Sequence, residues 1–246
     1  MEAKGKIVWK TLGVLSIGYS PRPGIIDDVI RLRPTVSIVH AGALDGVRLG
    51  DLPSLRPVET ILSDGTSKRT GARAAPADKY ALITQISPGQ IVSVERDELL
   101  PLLQKKVDEL SGVNVDAILL MCTGDFPGLV SLRPLVIPHE VFTKAIEWVQ
   151  PRGKAAIICP IDGQKRAAEE KWQREGFDPL VVVASPYSDR DWETVGRQLE
   201  HESFDLVILD CFGFGEAARR HVARFVKCPV LSIRTIVINL LVEFLD

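Results

Sequence analysis

The chain has 246 residues, of which 46% are hydrophobic and 25% charged, and its formal net charge is −2. This length builds one large α/β domain or two modest lobes around a sizeable core, and the composition is that of an ordinary soluble globular protein. The near-neutral charge argues against a nucleic-acid partner held by bulk electrostatics, and four cysteines without a CxxC pair form neither a disulfide framework nor a zinc site.

Free thiols fit a reducing cytosol, so a cytoplasmic location is expected. Lys10 interrupts the first apolar stretch and no small-residue cleavage site follows, so no signal peptide is expected. The last apolar stretch, 236–245, holds Asn239 and Glu243. It is too short to span a bilayer, and no membrane partner is expected.

Strand and helix signals alternate along the chain, which predicts α/β with mainly parallel strands. The first strand is read at 11–17. The turn Tyr19-Ser20-Pro21-Arg22-Pro23-Gly24 follows, and Pro23 suits the opening of a helix over 25–32. A short second strand covers 36–40. Asp64-Gly65 is a hairpin-turn signal between 58–63 and 66–69, read as an insertion on a sheet edge. A further strand is expected over 79–86. The helix at 95–110 carries Leu99, Leu102, Leu103, Val107 and Leu110 at helical spacing. Pro101 is tolerated there only in a first turn, which moves the expected start later than Glu95. The apolar run 115–121 then reads as a buried strand ending at Cys122.

Pro138 opens the next helix, to about 149, and Gly153 breaks the chain after it. Strands follow at 155–159, 180–183, 204–210 and 229–232. Helices follow at 163–175, 189–201, 216–226 and 236–245, with Ser188 or Asp189 capping the second of these. No low-complexity linker separates the halves. The reading is two similar lobes packed tightly, 1–137 and 138–232, with 233–246 returning to the first.

Two cysteines end apolar strands and lead straight into Gly-containing loops: Cys122-Thr123-Gly124-Asp125 and Cys211-Phe212-Gly213-Phe214-Gly215. Ligands of open α/β sheets bind beyond the carboxyl ends of the strands. Two thiols in equivalent contexts are therefore candidates to face one pocket. Amide dipoles at a following helix start would lower a strand-end thiol's pKa and make it a base, with the second thiol donating from the opposite face. The competing reading of each cysteine is an inert, small apolar residue. Cys159 and Cys228 each precede a proline. Cys228 lies before a strand, at the wrong end for a site, and both are read as structural.

In the loop after the first strand, Ser20 offers a hydroxyl and an amide to a carboxylate, and Arg22 offers a bidentate fork. Against this stands a rigid two-proline turn with a solvated arginine. Thr123 offers a hydroxyl and an amide beside the first cysteine, or is a turn cap. A carbanion next to a carboxylate needs donors on its developing enediolate, and the amides around Gly124 and Phe212 are further candidates. Gly213 allows close backbone approach to a ligand. The stretch Gly213-Phe214-Gly215-Glu216-Ala217-Ala218 has the look of a dinucleotide fingerprint. It comes too late in the chain, with one strand and a short helix remaining, so no nicotinamide cofactor is expected. His40 either reaches the pocket or satisfies a loop, and His139, His201 and His221 are read as solvated. No HExxH, Gly-x-Ser-x-Gly or Walker A pattern is present, so no metal or nucleotide chemistry is expected.

Six stretches together resemble the AroM family, within the aspartate/glutamate racemase superfamily. They are Gly18-Tyr19-Ser20-Pro21-Arg22-Pro23, His40-Ala41-Gly42-Ala43-Leu44-Asp45-Gly46, Asp64-Gly65, Ile118-Leu119-Leu120-Met121-Cys122-Thr123, Lys171-Trp172 and Leu209-Asp210-Cys211-Phe212-Gly213-Phe214. The superfamily includes amino-acid and hydantoin racemases, maleate isomerase and arylmalonate decarboxylase. The resemblance implies an α/β fold of two pseudo-symmetric flavodoxin-like lobes with mainly parallel sheets and a cleft between them. It also implies cofactor-independent chemistry on a small carboxylate, with Cys122 and Cys211 at the superfamily's two cysteine positions. Cys122-Thr123-Gly124 stands where the amino-acid racemases carry Cys-Asn-Thr, and Gly18-Tyr19-Ser20 where they carry an Asp-Ser pair. That points away from free aspartate or glutamate as substrate. The expectation is a racemase or isomerase with a two-cysteine acid/base pair, without cofactor or metal. A non-catalytic small-acid binding or regulatory protein, and a decarboxylase using Cys211 alone, stand as alternatives. A homo-oligomer is compatible with either.

Overall fold

Strands buried on both faces need uninterrupted apolar runs, which is the signature of parallel sheets covered by helices. The computed structural model describes residues 9–22, 24–61, 67–69, 80–147, 153–187 and 191–245. β1 (Thr11–Ser16), α1 (Asp27–Leu32) and β2 (Ser37–Gly42) form the first βαβ unit. The chain then leaves that sheet for β3 (Arg56–Ile61), β4 (Ser67–Arg69), β5 (Ala81–Ser87) and β6 (Gln90–Glu95). It returns through α2 (Arg96–Gly112) to β7 (Ala117–Leu120) and β8 (Leu135–Val136). The second half runs α3 (Pro138–Ile146), β9 (Lys154–Cys159), α4 (Lys165–Arg174), β10 (Asp178–Val183), α5 (Asp191–Glu200), β11 (Leu206–Leu209), α6 (Glu216–Val222), β12 (Val230–Ser232) and α7 (Ile233–Leu241).

The two parallel sheets are ordered β2-β1-β7-β8 and β10-β9-β11-β12. Each follows the same 2-1-3-4 order within its half, the flavodoxin-like arrangement whose ligand site lies where the strand order reverses. The fold is therefore two pseudo-symmetric α/β lobes. In it β7 and β11 hold equivalent places, and every residue of both is buried. The equivalence of the two cysteine loops, first visible as a sequence pattern, thus has a topological basis.

The insertion is larger than one hairpin. β3 to β6 pair antiparallel in the order β4-β3-β6-β5. The strand Gln90–Glu95 has no counterpart in the sequence reading, which leaves 87–94 unassigned between the strand at 79–86 and the helix at 95–110. Pro88-Gly89 is the turn that makes it possible. Gly89 sits at φ +78°, and a Cβ there would meet the Ile61 carbonyl oxygen at 2.5 Å, so only glycine fits. The expected turn at Asp64-Gly65, the cap at Ser188 or Asp189 and the helix end near 149 lie outside the described residues.

Two helix boundaries correct the sequence reading. Pro101 lies inside α2, which begins at Arg96. Proline there removes one helical hydrogen bond, and the break falls where both Pro101 and Asp97 face solvent. α7 starts at Ile233, three residues early, because the Ser232 hydroxyl accepts the Thr235 amide at 3.2 Å and caps it.

One core joins the sheets. Leu12, Val14 and Leu119 of the first sheet share a buried cluster with Ile157 and Ile208 of the second, through Phe142 of α3, Trp172 of α4 and Val237 of α7. Trp172 is its centre. It meets Phe142 edge-on at 5.9 Å and Phe177 at 5.8 Å between ring centroids. The last described residues lie against the first: Trp9 stacks on Phe244 at 5.0 Å, and Arg234 of α7 pairs with Asp28 of α1 at 2.8 Å. Among the described residues no helix is long and apolar enough to cross a membrane.

Candidate active site

Beyond the carboxyl ends of β7 and β11, a cavity of about 50 Å³ opens between the lobes. Cys122, Thr123 and Gly124 line it from one side, and Cys211, Phe212 and Gly213 from the other. The two thiols have matching surroundings. The Gly124 amide donates to the Cys122 sulfur at 3.4 Å, and the Gly213 amide donates to the Cys211 sulfur at 3.4 Å. Gly213 is fixed by packing, since a Cβ there would meet Pro186 Cβ at 2.7 Å. The Phe212 ring is in the core, so its backbone is what it can offer a ligand.

The expectation of acidified thiols is corrected. Burial pushes Cys122 up to about 11 and Cys211 up to about 12, against the pull of the Gly124 and Gly213 amides. No helix starts directly after Cys122; α3 begins only at Pro138, so the dipole invoked for it is absent. Both thiols are protonated near neutral pH.

Arg22 lines the cavity; Ser20 does not. The Ser20 hydroxyl donates to Asp45 at 2.6 Å and its amide donates to the same carboxylate at 3.0 Å. Its donors are spent inside the loop, which removes it as a carboxylate ligand. Arg22 donates to the Gln85 carbonyl at 2.9 Å and to the Tyr187 hydroxyl at 3.0 Å, tying the inserted sheet to the second lobe. Two further contacts do the same. The Gln164 side-chain amide donates to the Ala81 carbonyl at 2.7 Å, and the Ser185 hydroxyl donates to Glu59 at 2.6 Å. The inserted sheet is therefore a wall of the cavity, contributing Tyr80, Leu82 and Thr84.

Several lining or supporting residues were missed from sequence. Tyr80 and Tyr187 both face the cavity, and burial raises both phenols, Tyr187 to about 12. They are neutral hydroxyl donors. Asp210 also lines the cavity, and behind it Lys171, 3% exposed, pairs with it at 2.5 Å. Its ammonium also donates to the Thr123 carbonyl at 3.3 Å, and the Trp172 indole donates to Asp210 at 2.7 Å. Both residues stand in stretches that carry the family resemblance, but only one physical signal pointed to their pairing: a carboxylate ending a fully apolar strand must be partnered.

The histidines divide. His40 is exposed on β2 and His201 is exposed after α5; neither lines the cavity. His139 is not solvated as expected. It is buried edge-on against Trp172 at 6.0 Å, and burial lowers it to about 4. Cys159 is buried in the shared core and Cys228 lies before β12.

The family model described as AroM protein matches residues 12–245. No curated protein matches the chain. In fold, the chain is similar to a liganded double mutant of arylmalonate decarboxylase, at 15% identity and a TM-score of 0.59, covering 96% of this chain and 92% of that one. It is similar to the maleate isomerase Iso from Pseudomonas putida S16, at 11% identity and a TM-score of 0.55, covering 95% and 92%. It is similar to glutamate racemase from Aquifex pyrophilus, at 14% identity and a TM-score of 0.51, covering 96% and 84%. At these identities the likeness is one of fold.

Proposed function

The chain belongs to the AroM family, and from that premise we propose that it is a cofactor-independent racemase or isomerase moving a proton at a carbon next to a carboxylate. The observation that carries this reading is the matched pair Cys122 and Cys211. Two thiols after equivalent strands line one cavity, each with the amide of the residue two positions on at its sulfur. The names of fold neighbours, racemases and an isomerase among them, support the same class of reaction.

In the proposed cycle one sulfur, as thiolate, takes the proton from one face of the carbon. The other, as thiol, gives a proton to the opposite face, and the two sulfurs exchange charge states. Arg22 holds the carboxylate at the cavity mouth. Tyr80 and Tyr187, being neutral, donate to the enediolate oxygens as charge develops there. Thr123, Gly124, Phe212 and Gly213 line the reacting region. The cavity is small, which fits a compact carboxylate rather than a long chain.

The test is proton NMR in deuterated water with a panel of small carboxylic acids. Deuterium entering at the carbon next to the carboxylate with wild type, and lost in both Cys122→Ala and Cys211→Ala, is expected. Retention in Cys122→Ala alone assigns the chemistry to one thiol. Binding of acids without deuterium entering any of them makes the protein a binder.

A further inference from the structure

A buried ion pair lies asymmetrically between the two thiols. The side chains of Lys171 and Trp172, adjacent on α4, reach the loops at the ends of both β7 and β11. The Lys171 ammonium donates to the carbonyl of Thr123, the residue after Cys122. Its partner Asp210 is the residue before Cys211. The positive end of the pair thus touches the Cys122 loop, and the negative end adjoins Cys211. The Trp172 indole pins the same carboxylate oxygen that Lys171 holds. Trp172 is fully buried among Phe142, Phe177 and His139, so the pair is held in a fixed orientation.

We propose that Lys171 makes the two thiols unequal, favouring the anion at Cys122, so that Cys122 is the base and Cys211 the acid of the first proton transfer. This rests on the two-cysteine reading above and deepens it by assigning the roles. Lys171 touches no reacting atom and is a positioning residue.

The surrounding charges agree. Facing Cys122 are Lys171 from α4, Asp210 after β11 and Tyr80 before β5, with Arg22 and Tyr187 at the mouth, while Asp125 on its own loop acts on Tyr80 and His139. His139 of α3 and Arg96 of α2 stand behind them. Both tyrosines are neutral, and so is His139 above the acid range. Around Cys211 stand Asp210, the thiols Cys122 and Cys159, and Tyr187, with Arg22 and Arg234 toward the outside. Burial raises both thiols and Asp210 pushes both upward; the Lys171 charge pulls Cys122 back down, whereas around Cys211 the neighbouring thiols add to the upward push and no lysine opposes it. A unit of pKa is a factor of ten in thiolate at any pH below both values.

The experiment follows alkylation of each cysteine by iodoacetamide with peptide mass spectrometry, from about pH 7.5 to about 9.5, because the thiolate is the reacting form. It needs no substrate, so its outcome is separate from that of the deuterium test. In wild type, the Cys122 rate is expected to climb at lower pH than that of Cys211. Lys171→Met is expected to slow Cys122 by about tenfold at fixed pH and Cys211 by a smaller factor, since the unpaired Asp210 charge also raises Cys211, and Lys171→Arg to restore Cys122. Lys171→Met leaves Asp210 as an unpaired buried charge. The double variant Lys171→Met with Asp210→Asn removes both charges, and there the two profiles are expected to converge. Equal slowing of both thiols in Lys171→Met, a Cys211 profile lying below that of Cys122, or two thiols that never react overturns the proposal.

Discussion

Arg22 donates to the hydroxyl of Tyr187 at 3.0 Å, and this bond closes the cavity mouth from the two lobes. Arg22 and Tyr187, with Ile25 and Gly213, line both the inner cavity of about 50 Å³ and an outer one of about 740 Å³. The outer cavity is thus a vestibule, and the arginine and phenol stand at its inner end. Tyr187→Phe removes the acceptor while Arg22 keeps its bond to the Gln85 carbonyl. A hydrogen bond from a charged guanidinium, about 1.5–3 kcal/mol, corresponds to a roughly 12- to 160-fold change in an opening equilibrium. Alkylation of Cys122 and Cys211 is expected to speed up together by that factor at fixed pH. Unchanged rates would show that the bond does not control access.

Gly213 leaves no room for a side chain, because a Cβ would lie 2.7 Å from Pro186 Cβ. Gly213→Ala must shift the loop after β10 or the loop after β11. Overpacking of this kind costs about 1–3 kcal/mol, which in a chain of this size lowers Tm by roughly 2–12 °C. The shift also moves the Gly213 amide off the Cys211 sulfur, so alkylation of Cys211 should require higher pH. Gly112→Ala is the control. It stands at the end of α2 with open space around it and should hold or raise Tm. Equal Tm for wild type and Gly213→Ala in a calorimetric scan would refute the packing argument.

What could be read from sequence was what depends on local pattern. β7 and β11 are apolar throughout because they are buried on both faces, so their ends, and hence Cys122 and Cys211, were visible. β6 was not, because six residues lying against a helix start give too short an alternation to separate from the helix. The remaining misses are pairings distant in sequence. Ser20 gives its donors to Asp45, 25 positions away. Lys171 reaches Thr123 across 48 positions. Tyr187 follows a strand end and was reachable by the rule that located the cysteines. Tyr80 precedes a strand of the inserted sheet, and nothing in the chain says that this sheet folds over the cleft.

His139 makes stability depend on pH in the acid range. Burial, and then the Lys171 charge, lower it from 6.5 to about 4. The folded state therefore binds fewer protons than the unfolded state between those values. The stability contributed by keeping this ring neutral is fully present above about pH 6.5 and is lost as pH falls toward 4. With the ring mostly enclosed, the contribution is on the order of 2 kcal/mol. His139→Phe keeps an edge-on ring against Trp172 and removes the titration. Its Tm is expected to fall less than that of wild type between pH 6.5 and 4.5, by several degrees. Carboxylates remote from the ring titrate alike in both proteins, so the difference between the two curves reports the imidazole together with its neighbour Glu175, 3.8 Å away. Parallel curves would mean that His139 is solvated enough to protonate without cost.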